Sequence, residues 1–319
     1  MSTALLPEPN TRYRPTKGVP SDVLLDVAFR KVTEVFNLPQ ASEIAKRYQD
    51  AAPFPYLVID NFFSSDLLEH VAKELVAEDV KFSKVFSDDL QRNKTISTGD
   101  AVPPLISLLA SKFAAPDLLR YLEEVTGLKR LLPDPYYNTE YGYYHIVGSG
   151  GVLGSHVDHS HHGSLNIPHV LNLVVYLTQN WDEVQGGSLC LFDRSGKNVA
   201  ARIPCVYNRA ILFACCPTAY HGVDPISESS RRRRHSLYFA YYSVETYGVQ
   251  AQASFPGLDE KTSNLDSSVS YGTYFVVPFW QLFRPGNWVH LRTRLIYLGY
   301  LLLPPLLIRV IKKLMRSDP

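Results

Sequence analysis

The chain has 319 residues, of which 45% are hydrophobic and 20% charged, with a formal net charge of +1. That length holds one large domain or two modest ones, and the composition is that of an ordinary globular protein. The near-neutral balance excludes the basic footprint of a nucleic-acid binder, so no nucleic-acid partner is expected. Its 20 tyrosines suit a β-rich body. The cysteines, Cys190, Cys205, Cys215 and Cys216, show no CxxC spacing, and the adjacent pair cannot easily form an ordinary disulfide. They read as reduced thiols in a cytoplasmic enzyme. The first ten residues lack a basic n-region and a long apolar core, so no signal peptide is expected.

In chain order, residues 1–20 are polar and hold four prolines, as in a loose arm. Ser21 is placed to cap a helix over 22–37, where Val23, Leu24, Val27, Val32 and Val35 recur at roughly helical spacing. A second helix is expected over 41–50, which makes 1–52 an N-terminal helical arm. Pro53 and Pro55 mark a boundary. Tyr56-Leu-Val-Ile-Asp60 then reads as a strand, and Ser64-Ser65-Asp66 as the cap of a helix over 67–76. Residues 103–127 read as helical, with Leu105, Leu108, Leu109 and Phe113 on one stripe and Leu118, Leu119 and Leu122 after Pro116.

From Tyr136 the hydrophobic period changes from about 3.6 to 2. Short β-rich runs are expected at 140–147, 151–158, 169–178, 187–193, 208–215, 219–223 and 235–243, separated by Gly, Pro, Asn and Asp. The fold class is therefore mostly β with flanking helices (α+β), and the core a double-stranded β-helix, or jelly roll, over 53–250. Residues 257–268 look like a linker within a C-terminal tail, 251–319. In that tail, 295–308 are uncharged, but a spanning helix needs ~20 apolar residues and Pro304-Pro305 interrupts this run. Arg292, Arg294, Arg309, Lys312, Lys313 and Arg316 flank it. Two readings stand for 292–316: a helix docked on the barrel, or a peripheral membrane contact with its cations toward anionic headgroups.

The chemistry centres on residues 150–160. On an extended backbone His156 and Asp158 project to the same side, so an imidazole nitrogen and a carboxylate oxygen can meet at one point. His221, in Tyr220-His221-Gly222, can supply a third ligand. Two histidines and one carboxylate with open positions are the donor set of non-haem Fe(II) oxygenases. His159, His161 and His162 read as a solvated polar loop, and a closed zinc site would want four ligands. His145, His169, His235 and His290 are read as structural. Arg231 to Arg234 read as a solvated loop or a phosphate patch, except that Arg234 enters a strand and shares parity with Ser236 and Tyr238. An arginine there can fork both oxygens of a carboxylate.

These blocks resemble the Fe(II)/2-oxoglutarate-dependent dioxygenases, in their prolyl 4-hydroxylase-like branch. The resemblance covers roughly 55–243. It rests on His156-Val-Asp158, on Leu173-Val-Val-Tyr176-Leu-Thr-Gln-Asn-Trp181 followed by Gly186-Gly187, on Asn208-Arg-Ala-Ile-Leu-Phe213, on His221-Gly-Val and on Arg234-His-Ser236. It implies Fe(II) held by His156, Asp158 and His221. It also implies 2-oxoglutarate as cosubstrate against Tyr176, Arg234 and Ser236, O2 as oxidant, and L-ascorbate as a candidate reductant. Asn172 shares parity with Tyr176 and is grouped with these cosubstrate residues.

The implied reaction hydroxylates a C–H bond and releases succinate and CO2. The carboxylate at Asp158 argues against the halogenase variant, in which Gly or Ala leaves that position to chloride. The approach Val147-Gly-Ser-Gly-Gly-Val-Leu lacks the common Tyr-x-Pro-Gly pattern, and the His-rich loop after Asp158 is this chain's own. Substrate identity therefore does not transfer: a prolyl residue of a peptide and a small molecule both stand. The alternative from another class is a non-enzymatic cupin-like metal- or ligand-binding module.

Overall fold

Burial forces the order of this fold, because one sheet face packs on helices while the other faces a second sheet. A computed structural model describes residues 20–77, 84–86, 91–97, 102–134, 143–162, 165 and 167–243. All of them lie in one compact unit, Met1–Ser268. The loose arm over 1–19, the linker, the tail and His290 fall outside the described residues.

The helices are α1 (Ser21–Phe29), α2 (Val32–Val35), α3 (Ala41–Gln49), α4 (Ser65–Ala77), α5 (Pro104–Phe113) and α6 (Pro116–Thr126). The expected helix over 22–37 is broken after Phe29. Arg30 is extended, and Lys112 Nζ donates to the carbonyls of Ala28 and Arg30 at 2.8 and 2.6 Å, taking acceptors that a longer helix would use. Arg30 also pairs with Asp26 and Asp66. Ser21 is the first helical residue and not its cap; Pro20 holds the N-cap position without a side-chain bond. The expected helix over 103–127 is likewise two helices, because Pro116 can start a helix but not continue one.

The strands are β1 (Tyr56–Ile59), β2 (Lys84–Phe86), β3 (Gln91–Ser97), β4 (Leu132–Pro133), β5 (Tyr144–His156), β6 (His169–Tyr176), β7 (Leu189–Phe192), β8 (Val199–Ile203), β9 (Ala210–Ala214), β10 (His221–Val223) and β11 (Arg234–Tyr242). Among the described residues they form one antiparallel sheet in the order β1-β9-β6-β11-β5-β10-β7-β8, with β3 also on β5. The expected runs at 140–147 and 151–158 belong to a single strand, β5. Its first half pairs with β11 through Arg234↔Val147, and its end pairs with β10 through His221↔His156. One strand thus serves both sheets of the roll, and the sheet curls around it into a half-barrel, the jelly-roll core.

Alternation on β6 sorts the core. Leu171, Leu173 and Val175 join the helical side, with Leu105, Leu109, Phe113, Leu118 and Leu122. Val174 and Tyr176 face the interior of the roll, with Leu189, Leu191, Ile203, Ile211 and Phe213. The N-terminal helices belong to the first cluster through Val27, Val35, Phe36, Ile44 and Tyr48.

Phe113 is the joint between helices and sheet. Its ring stacks on Phe239 of β11 at 3.9 Å and meets Phe36 at 5.0 Å and Phe63 at 6.0 Å. Phe113→Ala is expected to cost about 3–5 kcal/mol of unfolding free energy, since it removes a buried ring and leaves a cavity. Urea unfolding of the variant checks this, and a loss below about 1 kcal/mol would show that the helical layer does not brace the sheet.

Candidate active site

His156 ends β5, and His221 begins β10 directly across the ladder from it. Their ring centroids are 4.3 Å apart. Both rings are oriented in the same way. His156 Nδ1 bonds the carbonyl of Gly154 at 2.8 Å, and His221 Nδ1 bonds the carbonyl of Ala219 at 3.0 Å. A carbonyl only accepts, so each Nδ1 carries the proton and each Nε2 presents a lone pair. Asp158, two residues beyond His156, brings Oδ1 to 3.3 Å from His156 Nε2 and Oδ2 to 3.6 Å from His221 Nε2. The three ligand atoms lie within 4.8 Å of one another.

Electrostatics prepares this cluster for a cation. Burial pushes His221 down to about 4, which keeps its ring neutral and able to ligate. Burial alone would raise the Asp158 carboxyl, but His221 and His156 carry it well below the usual carboxylate range. Gly222 is required between the two strands: a Cβ there would meet the carbonyl oxygens of Leu153 at 2.6 Å and Gly154 at 3.0 Å.

A second cluster shares the aspartate. Asp158, His169 and Cys215 also place ligand atoms within 4.8 Å. Here burial, and then the Asp158 charge, push the Cys215 thiol well above its ordinary value, and the proton stays on sulfur. His169 faces two acceptors as well, the carbonyl of His159 at 3.2 Å from Nδ1 and Asn172 Oδ1 at 2.9 Å from Nε2, so its one ring proton is committed to one of them. This second cluster is not prepared for a cation as the first one is.

Deeper in the roll, Tyr176 of β6 lies opposite Ser236 of β11, and Arg234 stands two residues before Ser236 on the same face. Relative exposures are 0% for Tyr176, 2% for Ser236 and 4% for Arg234. The Arg234 guanidinium sits 4.6 Å over the Tyr176 ring centroid. Arg234 Nε and the Tyr176 hydroxyl are buried with no hydrogen-bond partner. Burial pushes the Tyr176 phenol up, so it stays a donor. A buried guanidinium without a carboxylate partner among the described residues is costly unless a ligand supplies the anion. A carboxylate at that spot would satisfy both orphaned donors. The donor set therefore fits Fe(II) at one end and a dicarboxylate such as 2-oxoglutarate at the other.

Gly187 makes room for Arg234. Its φ is +75°, and a Cβ on it would meet Arg234 Cδ at 3.1 Å and Ile226 Cγ1 at 3.2 Å. Asn172 lies beside the three-ligand cluster: its Nδ2 donates to Asp158 Oδ2 at 2.6 Å. The loop after Asp158 departs from the expected solvated one. His159 and His162 are buried; His159 stacks on His169 at 4.9 Å, and His162 meets Asp134 at 3.3 Å and the Tyr242 ring at 5.1 Å. His145 stacks on Tyr238, and His235 Nδ1 and the Tyr144 hydroxyl share a hydrogen bond at 2.6 Å, both as structural histidines do. Sequence reasoning missed the roles of His169, Cys215 and Gly187. The signal for His169 was its position three residues before Asn172 on a strand that is otherwise apolar.

Residues 141–242 match the family model described as the 2OG-Fe(II) oxygenase superfamily. Within that span the β core is similar to a 2OG-Fe(II) oxygenase domain. The prolyl 3-hydroxylase OGFOD1 of Mus musculus is 27% identical over 202 residues, 60% of this chain and 33% of that protein. The chain thus spans about a third of the length of the curated relative it matches. A prolyl-4-hydroxylase from Pseudomonas putida is similar in structure, with a TM-score of 0.45 and 18% identity, covering 64% of this chain and all of that one. A prolyl hydroxylase from Trichoplax adhaerens, in complex with a hypoxia inducible factor peptide, has a TM-score of 0.45 and 17% identity, covering 71% of this chain and 92% of that one.

Two outcomes follow from the geometry of this oxygenase domain. Arg234→Leu should weaken 2-oxoglutarate binding about 10- to 100-fold, the loss of a charge-assisted bond of about 1.5–3 kcal/mol, and Gly187→Ala should weaken it less by displacing Arg234. Anaerobic titration measures both, and wild-type affinity in Arg234→Leu would show that the dicarboxylate does not reach this cation. The second concerns pH. Burial pushes His159 to about 3 and His221 and His235 to about 4, whereas the unfolded chain binds those protons near 6.5. Between about pH 4 and 6.5 the unfolded state holds more protons, so the stability of the metal-free protein falls as pH drops through that window. Denaturation midpoints at pH 7 and pH 5 should differ, and His235→Gln should narrow the gap; equal midpoints would contradict the burial of these rings.

Proposed function

We propose that the protein is an Fe(II)- and 2-oxoglutarate-dependent hydroxylase. A single observation supports it most: the Nε2 atoms of His156 and His221 face Asp158 in the same interior that holds the orphaned donors of Arg234 and Tyr176. A metal-binding barrel without turnover has no use for that second group.

In this reading His156, Asp158 and His221 hold Fe(II) on one side and leave the other side open. Arg234 forks the distal carboxylate of 2-oxoglutarate, Tyr176 donates its hydroxyl to the same end, and Ser236 lies beside them. When bound, the metal and keto acid together supply the oxidative chemistry: 2-oxoglutarate, O2 and a C–H bond become succinate, CO2 and a C–OH group. The apolar interior around Val174, Leu191, Ile211 and Phe213 excludes water from the cosubstrate end.

The name of the curated relative supports a prolyl residue of a peptide as the substrate class, with a small molecule as the other class to screen. L-Ascorbate serves as reductant in the same reading, and the oxygenase domain is assigned to 53–250. No helix among the described residues is long and apolar enough to cross a membrane.

Asp158→Ala and His221→Ala should each abolish succinate release while circular dichroism shows a retained fold. Succinate formation at the wild-type rate in either variant would remove the ligand assignment. Substrate is found by screening peptides and small molecules for those that raise succinate release above the basal rate.

A further inference from the structure

Asp158 has more than its two histidine neighbours. Asn172, fully buried on β6, donates from Nδ2 to Asp158 Oδ2 at 2.6 Å, shorter than most amide hydrogen bonds. A carboxylate can only accept, which fixes the amide: Nδ2 faces Asp158, and Oδ1 faces His169 Nε2 at 2.9 Å. His169 must then donate from Nε2. In the neutral ring its Nδ1, 3.2 Å from the carbonyl of His159, then has no proton to donate, and the ring is held by stacking on His159 at 4.9 Å. The sulfur of Cys215 fills the remaining side of Nε2 at 3.5 Å. The hydrogen-bond path runs from the Asp158 side chain through Asn172 to His169. Every group on it is buried or half-buried.

We infer that Asn172 and His169 are a positioning pair that makes Asp158 a one-oxygen ligand. Asp158 lies beyond the end of β5, where no ladder bond fixes its side chain. Left to itself, a carboxylate there can turn to offer both oxygens to a cation, which would take one of the open positions. The Asn172 amide takes a lone pair of Oδ2, which lies 3.6 Å from His221 Nε2, and leaves Oδ1, at 3.3 Å from His156 Nε2, as the oxygen that receives no amide donor. His169 keeps the amide from flipping, because the reversed amide would set its oxygen against a carboxylate and its NH2 against an N–H. This pair gives the His-rich stretch a role in the site: His169, stacked on the His159 ring, braces the aspartate through Asn172 without touching the cation.

This inference rests on the hydroxylase reading, and the experiment separates the two. Co(II) is titrated anaerobically into the full chain with saturating 2-oxoglutarate, and affinity and the visible ligand-field spectrum are recorded. Wild type is expected to bind. Asn172→Leu, which keeps size but removes the amide, and Asn172→Ala, which fits without strain, should bind about 10- to 100-fold more weakly, with an altered spectrum. His169→Leu, one step further away, should show a smaller loss in the same direction. A purely structural role would lower the melting temperature of the metal-free variants and leave affinity and spectrum of the folded protein at wild-type values; that result overturns the inference alone. Failure of wild type itself to bind Co(II) and 2-oxoglutarate overturns the hydroxylase reading and the inference together.

Discussion

The cross-strand register His221↔His156 is the constraint on which the site depends. A backbone ladder sets the distance between two ligands before any side chain is considered, and it is insensitive to what fills the centre. Each ring is then locked by a bond from Nδ1 to the carbonyl two residues upstream, Gly154 in one case and Ala219 in the other. The same local device, used twice on adjacent antiparallel strands, points both Nε2 atoms into one space. Gly222 allows it, since any side chain there would strike the carbonyls of β5. The ladder also explains why β5 has to be long. It must reach β11 with its first half, to bring Arg234 into the roll, and β10 with its end, to bring in His221.

Register on the large sheet carries the rest. On β6 a slip of one residue would send Asn172 and Tyr176 to the helices and Leu171, Leu173 and Val175 into the interior of the roll. The helical layer prevents that slip, because the odd-numbered residues of β6 and β11 are committed to Leu105, Leu109 and Phe113. The helices have no ligand to offer, yet they fix which face of the sheet becomes the site. The bond pair between Asn208 and Phe63 (2.7 and 3.0 Å) ties the chain leaving β1 to the turn that enters β9, so the edge of the sheet is held as well.

Much of this was legible in the sequence, for identifiable reasons. The strands that carry the site are apolar or strictly alternating, and β6, β9 and β11 stand within a residue or two of where periodicity puts them. The meeting of His156, Asp158 and His221 was legible because His156 and Asp158 share parity and because His221 follows an apolar strand. Strands β3 and β8 were not, since Gln91-Arg-Asn-Lys-Thr and Val199-Ala-Ala-Arg have a polarity that matches that of loops. The break in the first helix was hidden because its cause, Lys112, lies more than 80 residues away. The His-rich loop misled for a related reason: histidines read as solvated when burial depends on rings from β6 and β11 that sequence proximity does not reveal.

The charges of the buried site form one system. Asp158 is ionised and Arg234 is a buried cation, while the ring of His221 is held neutral. A divalent cation on the histidine side, taken alone, would leave this low-dielectric interior with an excess positive charge. A dicarboxylate taken alone would bring two negative charges against the single guanidinium. With both present, the two ionised side chains, the dication and the dianion cancel. Each ligand therefore lowers the electrostatic cost of the other, and linkage makes that coupling mutual. This also gives a physical reason for Arg234 to lack a carboxylate of its own. A resident partner would satisfy the guanidinium in the empty site and erase the preference for a dianion; under the proposed reading, a buried cation with no carboxylate partner among the described residues is what would favour a ligand carrying a second carboxylate.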